Sequence, residues 1–368
     1  MAIKIDSSAA QNILLDSFQR VSVKAPTTCC IADAIDTVFN GDKCLTYQYI
    51  LFTALLAKSV DERIDMLSLQ SDDRSEGAYA PRTLCKEVVY PFQRDMLEDV
   101  MNGANNDPLV NKPARFLRLT KSNQARGDGK RALLTLCEEL PKVKSQGMAV
   151  ECLDYLLSKL LDLATAHREE EKELNSCSLS CSTHRLREFF SKLLGQRFGG
   201  DALLLVASAL YRIQFPTEAG FRVIPHPVNR PGTASSQFSD LDVTKDGKPY
   251  LGTELKDKLF SEQDVRRAAD SLSKYGVTRL AFVSGRDGGL IEQNRQYFAS
   301  VKDDYNKRGI FVGLSDIDSL MDFVLVSNSD IDVEKVLVSI YDQARHNGST
   351  PETIRWLHKE LITMGQAK

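Results

Sequence analysis

The chain has 368 residues, 42% hydrophobic and 26% charged, with 12 Pro, 21 Gly and a formal net charge of −3. This is the composition of an ordinary globular protein with room for one large core or two smaller ones. It excludes a low-complexity chain, and the small net charge gives no bulk signal of a polyanionic partner, so local charge matters more than the sum.

No apolar stretch reaches the length that spans a bilayer, and the opening M-A-I-K-I-D-S-S-A-A has no apolar run behind a basic patch. The expectation is a soluble, cytoplasmic protein without membrane contact. Eight cysteines are scattered through the chain and not set in a compact framework, which fits reduced thiols. Cys177-x3-Cys181-x2-His184 offers three metal ligands without a fourth and reads as buried or loop thiols. Cys29 and Cys30 read as packing residues.

In chain order, residues 8–20 and 29–39 read as short amphipathic helices broken near Pro26. Residues 46–59, with Tyr49, Ile50, Phe52, Leu55 and Leu56, are apolar almost all round and read as a buried helix. Pro81 starts another helix, carrying Leu84, Val88 and Val89 and, past Pro91, Met96, Leu97 and Val100. Residues 102–108 read as a loop.

Residues 112–131 hold seven basic residues against one acid, Asp128. Lys112, Arg115, Arg118 and Lys121 recur every third residue among Phe116, Leu117 and Leu119. Such a run is either a phosphate-contacting edge or a solvated helix face. Residues 131–140 and 148–163 follow as amphipathic helices. Residues 167–172 and the Ser/Cys-rich 175–183 read as a linker, dividing the chain into a helical domain at 1–170 and a second domain at 185–368.

In the second domain, residues 186–194 and 201–213 are helical and 221–224 is a strand. Residues 239–258 (S-D-L-D-V-T-K-D-G-K-P-Y-L-G-T-E-L-K-D-K) are two strands joined at Asp246-Gly247, a strong hairpin signal. Strand alternation gives each arm an apolar and an acid-bearing face, with Asp240 and Asp242 on one arm and Glu254 and Lys256 on the other. Two acids and a lysine on one sheet face suit a Mg2+-dependent phosphodiesterase, since Mg2+ prefers carboxylate oxygens. A two-residue loop would pair Asp240 with Thr253 and leave Glu254 on the opposite face. A longer loop or a bulge pairs Asp240 with Glu254, and Pro249 beside the turn favours that choice. The competing reading is an exposed hairpin with a solvated charged face.

Beyond the hairpin, Ser261 caps a helix with the stripe Val265, Ala268, Ala269 and Leu272, and residues 279–284 form a buried strand. A helix at 290–306, a strand at 310–314 and three further helices complete a mixed α/β domain. The run 285–289 (G-R-D-G-G) lacks the Gly-Lys-Ser/Thr ending of a phosphate loop and reads as a turn. The five histidines (167, 184, 226, 346 and 358) lie in no catalytic motif and read as structural or exposed.

Taken together these residues resemble the SacI-like type II restriction endonucleases, within the PD-(D/E)xK nuclease superfamily. The resemblance rests on S-D-L-D-V through E-L-K-D-K, the helix F-S-E-Q-D-V-R-R-A and the strand V-T-R-L-A-F-V. It extends to T-A-L-L-A-K-S-V-D-E-R-I-D-M-L-S-L, R-T-L-C-K-E-V-V-Y-P and D-P-L-V-N-K-P-A-R, over roughly residues 45–130 and 235–285. Ser239 stands where the superfamily name has proline.

The resemblance implies an enzyme that hydrolyses double-stranded DNA at a short specific sequence, leaving 5′-phosphate and 3′-hydroxyl ends, in a prokaryotic restriction system. It places metal binding on Asp240, Glu254 and the carbonyl of Leu255, with Asp242 in reserve, around Mg2+ for which Mn2+ can substitute. Lys256 positions the nucleophile and stabilises developing charge. Arg82, Lys112, Arg115, Arg118 and Lys121 are the expected phosphate contacts, with Asn123, Gln124, Asn229 and Arg230 as candidate base readers. The first domain then contacts DNA, the second is catalytic, and a palindromic site implies a homodimer. A repair or junction-resolving nuclease and a catalytically degenerate DNA-binding protein are the alternatives.

Overall fold

The computed structural model describes residues 2–41, 44–101, 108–110, 113–176, 182–226, 238–290 and 295–366. The chain forms two compact units, Met1–Lys172 and Glu173–Lys368.

The first unit is helical: α1 (Ser7–Val23), α2 (Ala32–Phe39), α3 (Leu45–Val60), α4 (Pro81–Leu84), α5 (Tyr90–Met96), α6 (Gly127–Glu139) and most of α7 (Gln146–Ser176). α3 is its centre, buried without interruption from Tyr49 to Ser59. Lys58 is tolerated there because its ammonium donates to the carbonyls of Glu62 and Ile64 in the turn that follows. Helix continues across Pro91 as far as Met96. A π turn, Cys85–Val89, joins α4 to α5 ahead of the proline, which has no N–H to donate and whose ring crowds the preceding turn.

Two expectations fail here. Residues 167–176 are helix and not loop: the Glu- and Lys-rich stretch consists of good helix formers and extends α7, and the boundary between the two units falls within it. The basic run is not a helix face before Gly127. Residues 113–126 form turns and a bridge between Ser68 and Arg118. Cys177 and Cys181 lie outside the described residues, and His184 faces Glu188 at 3.4 Å. Exposed Cys30 places its Sγ 3.4 Å from that of Cys152. No described helix is long and apolar enough to cross a membrane.

The second unit is α/β. Its strands are β1 (Phe221–Pro225), β2 (Leu241–Lys245), β3 (Lys248–Lys256), β4 (Leu259–Phe260), β5 (Arg279–Ser284), β6 (Gly289–Leu290) and β7 (Phe311–Asp316). Its helices are α8 (Thr183–Leu194), α9 (Asp201–Gln214), α10 (Glu262–Ser273), α11 (Arg295–Lys307), α12 (Ile317–Ser327), α13 (Val333–His346) and α14 (Pro351–Gln366). The main sheet runs β1-β2-β3-β5-β7, antiparallel through β3 and parallel beyond it. β4 and β6 form a separate pair.

Alternation builds the two faces. Leu241, Val243 and Val283 point into a core with α8, α9, α12, α13 and α14. Leu280, Phe282 and Val312 point the other way, against Val265, Ala269 and Leu272 of α10 and Val301 and Tyr305 of α11.

Candidate active site

The β2–β3 hairpin turns on Asp246 (φ 50°) and Gly247 (φ 75°), both left-handed, as a two-residue hairpin loop requires. Near the turn Lys245 pairs with Lys248 and Thr244 with Pro249. The register then shifts by one: Val243 pairs with Leu251, which leaves Tyr250 as the extra residue of a β-bulge. Aromatic contacts hold Tyr250, with Phe221 at 5.2 Å, Phe215 at 6.0 Å and the Arg279 guanidinium 4.6 Å above its ring. Past the bulge Leu241 faces Thr253, so the register continued one residue back sets Asp240 across from Glu254. The turn is the short kind, and the bulge supplies the shift that the acids need.

Gly252, Glu254 and Lys256 occupy one face of β3. Gly252 marks it as the α10 face, since a Cβ there would lie 2.5 Å from Leu272 Cδ2. Thr253, on the opposite face, donates its hydroxyl to Tyr211 (3.0 Å). Asp240 is half-buried just before β2 and accepts the Leu255 N–H at 2.9 Å. Lys256 Nζ stands 3.2 Å from Glu254 Oε2, with the lysine side chain 27% exposed and the glutamate 19%. Burial is the main cause that raises the Glu254 pKa, and the Asp240 charge adds to it, outweighing Lys256. Burial works against the Lys256 ammonium, but Glu254 and Asp240 more than offset it and raise its pKa. The lysine therefore stays charged.

The end of β3 is braced from β5. Gly285 donates its N–H to the Lys256 carbonyl (2.8 Å), and a Cβ on Gly288 would lie 2.1 Å from that oxygen. The 285–289 run is therefore a turn that closes on β3, and its glycines are needed for the close approach.

Asp242, expected as a reserve metal ligand, does not join this cluster. It is 2% exposed and its carboxylate accepts from Ser239 Oγ (2.6 Å), Phe238 N (3.3 Å) and the His226 ring (2.7 Å). Sequence reasoning missed His226 and Ser239, because their common partner emerges only from the fold. Among the described residues no group of three or more His, Cys, Asp or Glu converges as a metal site. The side-chain donors here are two carboxylates, Asp240 and Glu254, hard oxygens whose mutual repulsion a divalent cation would relieve; they fit Mg2+ on chemistry.

The basic residues divide. Arg82 on α4 and Arg115 are exposed, the latter donating to the Val110 carbonyl. Arg118 lies 3.0 Å from both Asp65 and Asp73, and Lys121 pairs with Glu138. Arg118 is thus tied into the first unit's own ion pairs. Asn123 accepts the Thr120 N–H in a turn (2.8 Å), and Gln124 is exposed. Lys112, Asn229 and Arg230 lie outside the described residues.

Fold and site define an α/β protein whose mixed sheet carries an acid–acid–amine cluster at the β2–β3 hairpin. Residues 9–164 match the family model of the SacI restriction endonuclease N-terminal domain, and residues 178–286 match that of the C-terminal domain. Over 292 residues, 77% of each chain, the sequence is 24% identical to the type II restriction enzyme SacI of Streptomyces achromogenes. The chain belongs to the SacI restriction endonuclease family, and its class of activity is site-specific cleavage of DNA.

Proposed function

We propose that the chain is a Mg2+-dependent type II endonuclease of the PD-(D/E)xK kind. It hydrolyses double-stranded DNA at a short palindromic sequence and leaves 5′-phosphate and 3′-hydroxyl ends. The observation that carries this reading is the bulge at Tyr250, which sets Asp240 across from Glu254 with Lys256 on the same face. Asp240, Glu254 and the Leu255 carbonyl would hold Mg2+, or Mn2+ in its place, and such an ion would polarise the scissile phosphate and lower the pKa of its water.

The protein's own groups do the rest. Leu255 N–H fixes the Asp240 carboxylate, and Glu254 keeps Lys256 charged and close. That ammonium orients the attacking water and meets the negative charge that builds on the phosphate. Arg82 and Arg115, with Lys112, supply phosphate contacts from the first unit, the DNA-contacting domain, while the second unit is catalytic. A two-fold dimer matches a palindromic site.

The test is digestion of a mapped DNA with Mg2+. Discrete bands are expected, and Lys256→Ala or Asp240→Ala should slow cleavage by about a hundredfold or more while DNA binding persists. Smears, or cutting confined to branched DNA, point to a repair or junction-resolving enzyme. Binding without cutting under either cation refutes the catalytic reading.

A further inference from the structure

The buried carboxylate of Asp242 serves a purpose that the metal reading leaves unexplained. It lies two residues from Asp240, yet its oxygens are directed at three donors from two segments. His226, the residue after β1, brings its Nε2 within 2.7 Å of Oδ2. Phe238 N (3.3 Å) and Ser239 Oγ (2.6 Å) come from the approach to β2. The Ser239 hydroxyl also accepts the Thr253 N–H of β3 at 2.9 Å. The network thus ties three strands together at one end of the sheet, around a carboxylate 2% exposed. An isolated charge at that depth is costly, whereas one with three donors is held in a single geometry.

Asp240 sits inside this frame. Its main-chain carbonyl accepts the His226 N–H (3.0 Å) and its carboxylate accepts the Leu255 N–H (2.9 Å). His226 therefore grips the acid's backbone with its own amide and, through Asp242, the turn that leads into it with its ring. The ring can donate from Nε2 as the neutral tautomer or as the imidazolium.

We propose that His226 and Asp242 are a positioning pair: a buried clamp that fixes residues 238–240 and thereby aims the Asp240 carboxylate at Glu254. This rests on the reading of Asp240 and Glu254 as the metal-holding acids. It assigns Asp242 a task other than ligation, and His226 a task that its lack of any motif conceals. Residues that orient a ligand of this kind are worth about 10–100-fold in metal affinity or rate when removed, and a displacement of 1 Å costs about 10²-fold in rate.

The test uses the full chain and four readouts: Mn2+ affinity without DNA by electron paramagnetic resonance, DNA affinity, single-turnover cleavage rate and melting temperature. His226→Ala and Ser239→Ala should each weaken Mn2+ binding and slow cleavage about 10–100-fold, with DNA affinity unchanged. His226→Gln, whose amide can donate to Asp242, should recover most of both. Wild-type Mn2+ affinity and rate in both alanine variants overturn the clamp, as does a rate that falls only together with DNA affinity and melting temperature without rescue by Gln. A wild-type protein that neither binds Mn2+ nor cuts DNA overturns the reading of the acids and the clamp with it.

Discussion

Glu254 is held in a place that suits its work better than its own comfort. Burial and the neighbouring Asp240 raise its pKa above the ordinary glutamate value, so the folded protein holds that proton more tightly than the unfolded chain does. Its contribution to stability is therefore complete below the usual glutamate pKa and is lost as pH rises through the raised value. Glu254→Gln removes the ionisation. In cation-free buffer at pH 8 the variant should melt a few degrees above wild type, an effect on the order of 1 kcal/mol, and the gap should close toward acid pH. Mg2+ should raise the melting temperature of wild type alone, and cleavage by the variant should be lost. Thermal melts across pH, with and without Mg2+, decide it; a variant less stable at every pH contradicts the electrostatic account. At this scale the pattern of Glu254 and Lys256 was readable, because residues two apart on a strand share a face. The different fates of Asp240 and Asp242 were not. Alternation treats them alike, and only donors from β1 and the approach to β2 pull Asp242 away.

Elements place these side chains through contacts that leave no room for a methyl group. Gly288 is the sharpest case, because the atom that a Cβ would strike is the Lys256 carbonyl, 2.1 Å away, and backbone cannot rotate aside. Gly288→Ala should destabilise the protein by about 1–3 kcal/mol and slow cleavage by shifting Lys256, with DNA affinity kept. Gly129→Ala serves as the control, since its Cβ meets only Tyr47 at 3.4 Å. A melting temperature and a single-turnover rate for each variant suffice; equal behaviour of the two would remove the brace from the account. The hairpin was legible as an element, since Asp-Gly flanked by alternating residues states its own turn. The length of α7 was not. Its Glu-rich tail lacks an apolar stripe of the kind that announces a helix, and Leu174 reaches the second unit's core from it.

On the scale of the whole chain the question is where the positive charge is free to act. Seven basic residues in one stretch of a protein with net charge −3 suggest a strip of positive potential. Folding returns part of it to acids outside the run: Asp65 and Asp73 take Arg118, and Glu138 takes Lys121. A basic run in sequence thus overstates a basic surface. Arg118→Ala should lower the melting temperature and leave DNA affinity nearly intact. Arg82→Ala and Arg115→Ala should weaken DNA binding uniformly and each reduce the salt slope by about 1. Binding isotherms at several salt concentrations separate the cases, and an Arg118 variant that behaves like the other two would restore it to the interface. The division into two units was visible only approximately, because the segment suggesting a linker is partly the helix that crosses the boundary. A last consequence concerns the parity of the hairpin. Tyr250 is one unpaired count in a pleat that reads odd and even as inside and outside. A straight ladder that kept this tyrosine and paired it with Val243 would roll Glu254 and Lys256 over toward Tyr211 and its oily neighbours and turn Leu255 out in their place. Excising Tyr250 itself would remove the bulge and leave Asp240 across from Glu254.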